Sequence, residues 1–322
     1  MTISLSDMAQ GFALRRQYQS LQTQQQQRAT EVVTGQVADT ARHLGGNFTQ
    51  LGAMEASINR LDSFTTAAAV TATRADAMQQ ALGQIRALGD VGGLALGDSA
   101  DPDILGADME QRFTTAIGIL NTRVAGQGLF AGVSDGAALP DAETLLAGLQ
   151  ASVAGASDAN GVQAAVDAWF ADYADRLYSG GAATGDQPLA PNETVRLDVT
   201  AADPALRDML KGLATGALIA RGVLADQPEA QAQLLQNAGG TLLSAQGAVS
   251  GLEARLGSVQ ARIDLAQTRM TAERSSLQIA QTAQLAVDPY EAATRLEATQ
   301  TQIETLYAVT VRLSQMSLVD RL

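Results

Sequence analysis

The chain has 322 residues, a formal net charge of −13 and one lysine, Lys211. That balance excludes a duplex-binding protein, which needs clustered cations against phosphate. The absence of cysteine excludes disulfides and thiolate metal sites, and the lone histidine, His43, excludes multi-histidine metal sites.

Aromatic residues make up 4% of the chain, with a single tryptophan, Trp169. Alanine, glutamine, leucine and threonine dominate, which suits helices packed through small side chains. Residues 1–13 are polar and weakly patterned and are expected to be flexible. From Leu14 a heptad begins, with Leu14, Tyr18, Leu21, Gln25, Arg28 and Val32 on one face. It predicts a helix that ends at Thr34-Gly35, with glycine at the C-terminal cap. Residues 36–50 contain Gly45-Gly46 and few apolar anchors, and read as a loop or mixed segment. A second long pattern follows: Leu51, Met54, Ile58, Leu61, Thr65, Ala68, Ala72, Ala75, Gln79 and Leu82, reaching about Leu88. Its small residues allow close approach of a partner helix.

Gly89 to Pro102 is expected to be a turn region. A third helix carries Met109, Phe113, Ala116, Leu120 and Val124 and stops at Gly126–Gly132, where Phe130 is expected to plug the loop. The middle, residues 133–225, changes character. Five of the seven prolines and the only tryptophan fall between Leu139 and Pro228. Helical patterns run over Asp141–Ala154 and Val162–Tyr178. Glu193–Thr200 alternates apolar and polar residues and predicts a strand. Asp203-Pro204 caps a further helix with Leu206, Met209, Leu210, Leu213 and Leu218. The whole reads as a small α+β insertion.

The longest pattern runs from Leu242 to Val287. One row is Leu242, Val249, Leu256, Ile263, Met270, Leu277 and Gln284; the other is Ala245, Leu252, Val259, Ala266, Glu273, Ala280 and Val287. Apart from Gln284 and Glu273 both rows are apolar, which draws a coiled-coil seam roughly 70 Å long at 1.5 Å per residue. The seam breaks at Asp288-Pro289-Tyr290-Glu291. These residues also start a new helix, with Asp288 as cap, Pro289 at the first helical position and Glu291 three after the cap. Leu296, Ile303, Leu306, Leu313 and Met316 then recur at 3-4 multiples, followed by Leu318, Val319 and Leu322.

Little in the chain points to chemistry. Gly126–Gly132 has a spacing one residue too long for a dinucleotide loop and follows a helix rather than a strand, so it reads as a turn. His43 has no partner nucleophile in a known motif, and Asp101/Asp103 and Asp172/Asp175 lack calcium-loop spacing. Asn47 and Asn192 sit in glycosylation sequons, a signal common by chance. No catalytic residue, metal ligand or cofactor is expected. Residues 1–16 lack the pattern of a Sec-type signal peptide, and no apolar run approaches the ~18 residues of a membrane span, so membrane insertion is not expected.

Five segments carry a family resemblance. Leu14–Leu21 followed by Arg28–Gly35 is similar to the N-terminal helix of the flagellin superfamily. Gly128-Leu-Phe-Ala-Gly132 resembles the segment that leads into that family's outer domain. Asp288-Pro-Tyr-Glu-Ala-Ala-Thr-Arg-Leu296 and Leu313–Leu322 resemble its hook-associated junction branch more than its filament subunits. Thr40–Gly46 departs from the Ser-Asp-Asp-Pro-like element often found after the first helix.

The resemblance implies a mainly α fold, in which N- and C-terminal segments form a long antiparallel coiled-coil rod with a small α+β middle domain. It divides the chain into an N-terminal assembly helix with a flexible start (1–35), rod helices (36–132), an inserted outer domain (133–225), a returning rod helix (226–287) and a C-terminal assembly helix (288–322). It implies a structural adaptor between hook and filament, exported uncleaved through the type III apparatus. Its partners are other copies in a ring, a neighbouring hook-associated protein, flagellin and an export chaperone. The assembly residues it implies are Leu14, Tyr18, Leu21, Leu296, Ile303, Leu306, Leu313, Met316 and Leu318. The two end segments are implied to be disordered in the free subunit and to pair on assembly. The alternatives are a filament subunit, or a cytosolic coiled-coil scaffold as composition alone suggests.

Overall fold

The computed structural model describes residues 5–97 and 101–319. Near both ends some side chains fall outside the description, Met316 and Leu318 among them. The chain is mainly helical. In order, α1 (Leu5–Thr34), α2 (Thr40–His43), α3 (Thr49–Leu88), α4 (Val91–Ala95) and α5 (Pro102–Leu120) precede a short hairpin, β1 (Arg123–Val124) and β2 (Gln127–Gly128). Then come α6 (Ala142–Val153), α7 (Ala159–Ala171), α8 (Tyr173–Arg176), a second antiparallel hairpin of β3 (Gln187–Ala190) and β4 (Glu193–Val195), α9 (Pro204–Ala220), α10 (Pro228–Leu285) and α11 (Pro289–Val319). Two compact units result: residues 62–270, and residues 1–61 with 271–322.

In the unit 62–270, α9 is buried along most of its length, with Arg207, Asp208 and Lys211 half-buried on its polar side. Small residues let its neighbours approach closely. Gly106 of α5 lies against the backbone of Gly216 and Ala220, and Gly212 lies against Leu242 of α10. Met109, Phe113, Ala116 and Leu120 of α5 fill the space with Leu206, Met209, Leu213 and Leu218 of α9, all buried. Within this unit α3 and α10 run antiparallel. Arg86 pairs with Glu253 (3.1 Å), Gln246 Nε2 donates to Asp90 Oδ1 (2.7 Å), and Gln260 Nε2 donates to Asp76 Oδ1 (2.7 Å). The heptad rows of α10 are buried at Leu242, Val249, Leu252, Leu256, Ile263, Ala266 and Met270.

Aspartates start the helices here. Asp101, Asp141, Asp158 and Asp203 each accept a backbone N–H in the first turn, worth about 1 kcal/mol apiece. Phe170 stacks on Tyr173, and the buried Tyr173 hydroxyl donates to the Ala201 carbonyl at 3.0 Å. Burial pushes the Tyr173 phenol pKa up. The second hairpin is held on α10 by Arg262, which donates to the Thr194 carbonyl (2.8 Å), and by an Arg269–Glu193 ion pair.

Several sequence expectations are corrected. The first helix begins at Leu5, not Leu14. Leu5, Met8 and Phe12 already carry helical spacing and no breaker separates them from Leu14. The stretch Gly89–Pro102 is not all turn, since α4 lies within it and Pro102 is the first residue of α5. The helical pattern Val162–Tyr178 is divided at Asp172 into α7 and α8. The expected strand Glu193–Thr200 pairs only through Val195. Leu197 and Val199 still face inward and are buried, so the alternation sets the facing of side chains where no neighbouring strand continues the ladder. The third helix ends at Leu120 rather than at Gly126: Val124 lies in β1, Gly126–Gly128 supply the turn and second strand of the first hairpin, and Phe130 is fully buried just after it.

Gly132 has a φ of +63°, and a Cβ there would collide with the carbonyl groups of Gly181 and Ala182. Gly132→Ala is expected to destabilise this unit by about 2–4 kcal/mol, since backbone strain and collision add. Urea unfolding followed by circular dichroism, compared with Gly155→Ala at an open position, measures it.

Candidate assembly interface

The unit 1–61 with 271–322 holds every expected assembly residue. Its organising feature is a backbone clasp. Val37 N donates to the Leu285 carbonyl and Val287 N donates to the Gly35 carbonyl, each at 3.0 Å. Gly35 sits at φ +68°, the left-handed geometry that ends α1 and turns the chain into the clasp. Asp288 accepts from Tyr290 N (2.8 Å) and Glu291 N (3.1 Å), so α11 starts directly after it. Glu291 turns to Arg295 and forms an ion pair one helical turn on. His43 lies beside the clasp, with Nε2 3.1 Å from the Gln284 carbonyl.

Glu31 is the buried polar group of this junction. Its carboxylate accepts from Arg28 Nη1 (2.7 Å) and from Ala38 N (3.2 Å), which ties the last turn of α1 to the segment after it. With both acceptor contacts made, the charge is compensated rather than stranded.

From the clasp α1 and α11 run antiparallel. Tyr18 and Tyr307 meet edge to face with ring centroids 5.3 Å apart, and Tyr307 Oη donates to Tyr18 Oη at 2.8 Å. Gly11, Leu14, Tyr18, Leu306, Tyr307 and Thr310 line an apolar groove of about 330 Å³ between the two helices. Leu21 is buried, whereas Leu14, Tyr18, Leu296, Ile303, Leu306 and Leu313 are half-buried. The structure therefore brings Leu14, Tyr18 and Leu306 together. Met316 and Leu318 carry side chains outside the described residues.

Sequence reasoning missed four contributors. Ala292 is fully buried and Thr299 is 7% exposed. Both lie on the sevenfold row that continues through Leu306 and Leu313, so the heptad could have found them. Tyr307, next to that row, and the buried Glu31 carry no such signal.

Two helices cannot bury all the apolar surface they carry. Phe12, Val33 and Tyr290 are 67%, 85% and 83% exposed, and Val309 and Val311 also face out. The arrangement suits helix-to-helix docking with further protein. Among the described residues no cluster of histidine, aspartate and glutamate could hold a metal ion. No described helix is long and apolar enough to cross a membrane.

The hydrogen bond to Tyr18 raises the Tyr307 phenol pKa above its ordinary value. A raised phenol pKa stabilises the pair below the ordinary value of about 10, and that contribution is lost as pH rises through the raised one. A spectroscopic tyrosinate titration is expected to show one late-ionising phenol at this contact, and Tyr18→Phe is expected to return it to the ordinary range. Glu31→Ala is expected to open the clasp by about 1–3 kcal/mol, read as faster hydrogen exchange at the amides of Val37, Ala38 and Val287.

Residues 240–322 match the family described as bacterial flagellin C-terminal helical region. That span covers the C-terminal part of α10, one strand of the clasp and all of α11. Among solved structures, Bacillus cereus FlgL is similar at 12% identity and a TM-score of 0.49, over 72% of this chain and 100% of that one. A putative flagellar hook-associated protein from Vibrio parahaemolyticus is similar at 13% identity and a TM-score of 0.41, over 72% of this chain and 91% of that one. No curated protein sequence matches. Over residues 240–322 the chain carries a region of the flagellin C-terminal helical type.

Proposed function

We propose that this chain is a structural subunit of the bacterial flagellum, the adaptor between hook and filament, and that it assembles through α1 and α11. One observation carries the reading. The flagellin-type region includes α11, whose apolar stripe is only half covered by its partner α1. The further partners follow from it: other copies in a ring, a neighbouring hook-associated protein, flagellin, and an export chaperone covering α11 before assembly. Export without a cleaved leader belongs to the same proposal, as do the division at 133–225 into an outer domain and the assembly role of Leu14, Tyr18, Leu21, Leu296, Ile303, Leu306, Leu313, Met316 and Leu318. No enzymatic role is included.

The resemblance of Asp288–Leu296 and Leu313–Leu322 favours the junction over the filament subunit. The flagellin-type match itself favours the second reading, a filament subunit. A deletion strain viewed by electron microscopy separates them, with the medium assayed for shed flagellin. Bare hooks and shed flagellin are expected for the adaptor. Bare hooks without shed flagellin would indicate the filament subunit, and normal filaments would overturn both readings. In the complemented strain, Leu306→Asp is expected to weaken incorporation roughly thirtyfold, from about 2 kcal/mol of lost burial and added desolvation. Quantitative immunoblotting of sheared flagella checks it.

A further inference from the structure

In the unit 62–270, Arg86, Arg112, Arg196, Arg221, Arg255 and Arg269 each meet a carboxylate within 3.4 Å. Arg74 of α3 does not. Its Nη1 donates to Gln127 Oε1 (3.1 Å) and its Nη2 to the carbonyls of Gly128 (3.0 Å) and Leu129 (3.4 Å). Its Nε is shielded from solvent and has no acceptor among the described residues. Every one of these acceptors is neutral, so no hydrogen-bonded carboxylate compensates the partly desolvated guanidinium, and burial pushes its pKa down.

Arg74 lines a cleft of about 350 Å³ together with Thr71, Ser134, Asp135 and Thr184. Of the five guanidinium N–H groups three are directed to neutral oxygens, which leaves a donor on Nη1 for a visitor. Ser134 Oγ accepts from Gly136 N, and its O–H has no acceptor among the described residues. Asp135 brings a negative charge to the same wall, so a doubly charged anion is repelled more than a singly charged one. At the rim Val70 and Val133 are 68% and 64% exposed, which favours a group attached to carbon over a bare inorganic ion.

We propose that this cleft binds a single carboxylate group, with the Arg74 guanidinium as counter-charge and the Ser134 hydroxyl as second donor. The carboxylate is carried by a small monocarboxylic acid or by an acidic side chain of a second copy of this chain. The site is separate from the α1–α11 helix pair, so the proposal stands apart from the assembly reading.

The shielded Arg74 Nε–H is expected to exchange slowly and serves as reporter. The full chain, labelled in its arginine side chains, is titrated with sodium acetate and followed by proton–nitrogen NMR. Sodium chloride at equal ionic strength and inorganic phosphate serve as comparisons. The Arg74 Nε–H resonance is expected to shift saturably with acetate, to ignore chloride, and to respond more weakly to phosphate. A response to acetate that fails to saturate, or that chloride reproduces, would overturn the site. A dilution series separates the sources. A shift that follows protein concentration assigns the carboxylate to a second copy, and one fixed on dilution assigns it to a small acid; each upholds the site. Arg74 is left in place, because its loss would also untie the first hairpin from α3. Asp135→Asn is used instead. It is expected to tighten acetate binding roughly two- to fivefold, as removal of one exposed like charge does, and to narrow the difference from phosphate. Unchanged acetate affinity would overturn the selectivity assigned to Asp135.

Discussion

Two backbone hydrogen bonds join the segment after α1 to the segment before α11, and the assembly surface depends on them. Residues far apart in sequence are placed side by side at Gly35–Val37 and Leu285–Val287. Closing so long a loop costs several kcal/mol of chain entropy, which two hydrogen bonds alone cannot offset. The facing stripes of α1 and α11, the edge-to-face tyrosines and the Glu31 contacts supply the remainder. The clasp sets the starting point and direction of both helices. The stripes then meet in register, and a one-residue slip would turn Leu306 away from Leu14.

The unit 62–270 answers a different constraint. With few aromatic residues, it cannot build a thick core from large side chains. It brings backbones close instead, through Gly106, Gly212 and Gly216 around α9. Close approach multiplies dispersion contacts and compensates for the small volume of each side chain. Of the large residues that are present, Phe113 packs from α5 against α9, and Phe130 and Tyr173 are buried beside loops.

Much of this was legible in the sequence because long helices repeat their pattern. From Leu242 to Met270 the heptad rows of α10 gave the buried face, Val259 excepted, and Asp288-Pro289 marked the helix break and restart where the structure has them. Thr34-Gly35 likewise ended α1. The strand at Glu193–Thr200 was only partly legible, since alternation reports which way side chains face but not whether a neighbouring strand exists. The start of α1 was read late because three apolar residues make a weak pattern. The clasp left no trace in the sequence: it uses backbone atoms, and any residue type supplies those. The Tyr18–Tyr307 contact was half visible, with Tyr18 on its row and Tyr307 one position beyond the row that carries Leu306.

The cross-links between α3 and α10 have a further consequence. Gln246, Gln260 and Gln281 reach across to Asp90, Asp76 and Glu55 through amide nitrogens that carry no charge. Arg86, paired with Glu253, adds a charged cross-link. Exposed ion pairs weaken as salt rises, because mobile ions screen charge over about 10 Å or less. An amide donor is far less subject to that screening, and it does not titrate. These amide contacts between α3 and α10 therefore change little between fresh and brackish surroundings, where exposed ion pairs would weaken.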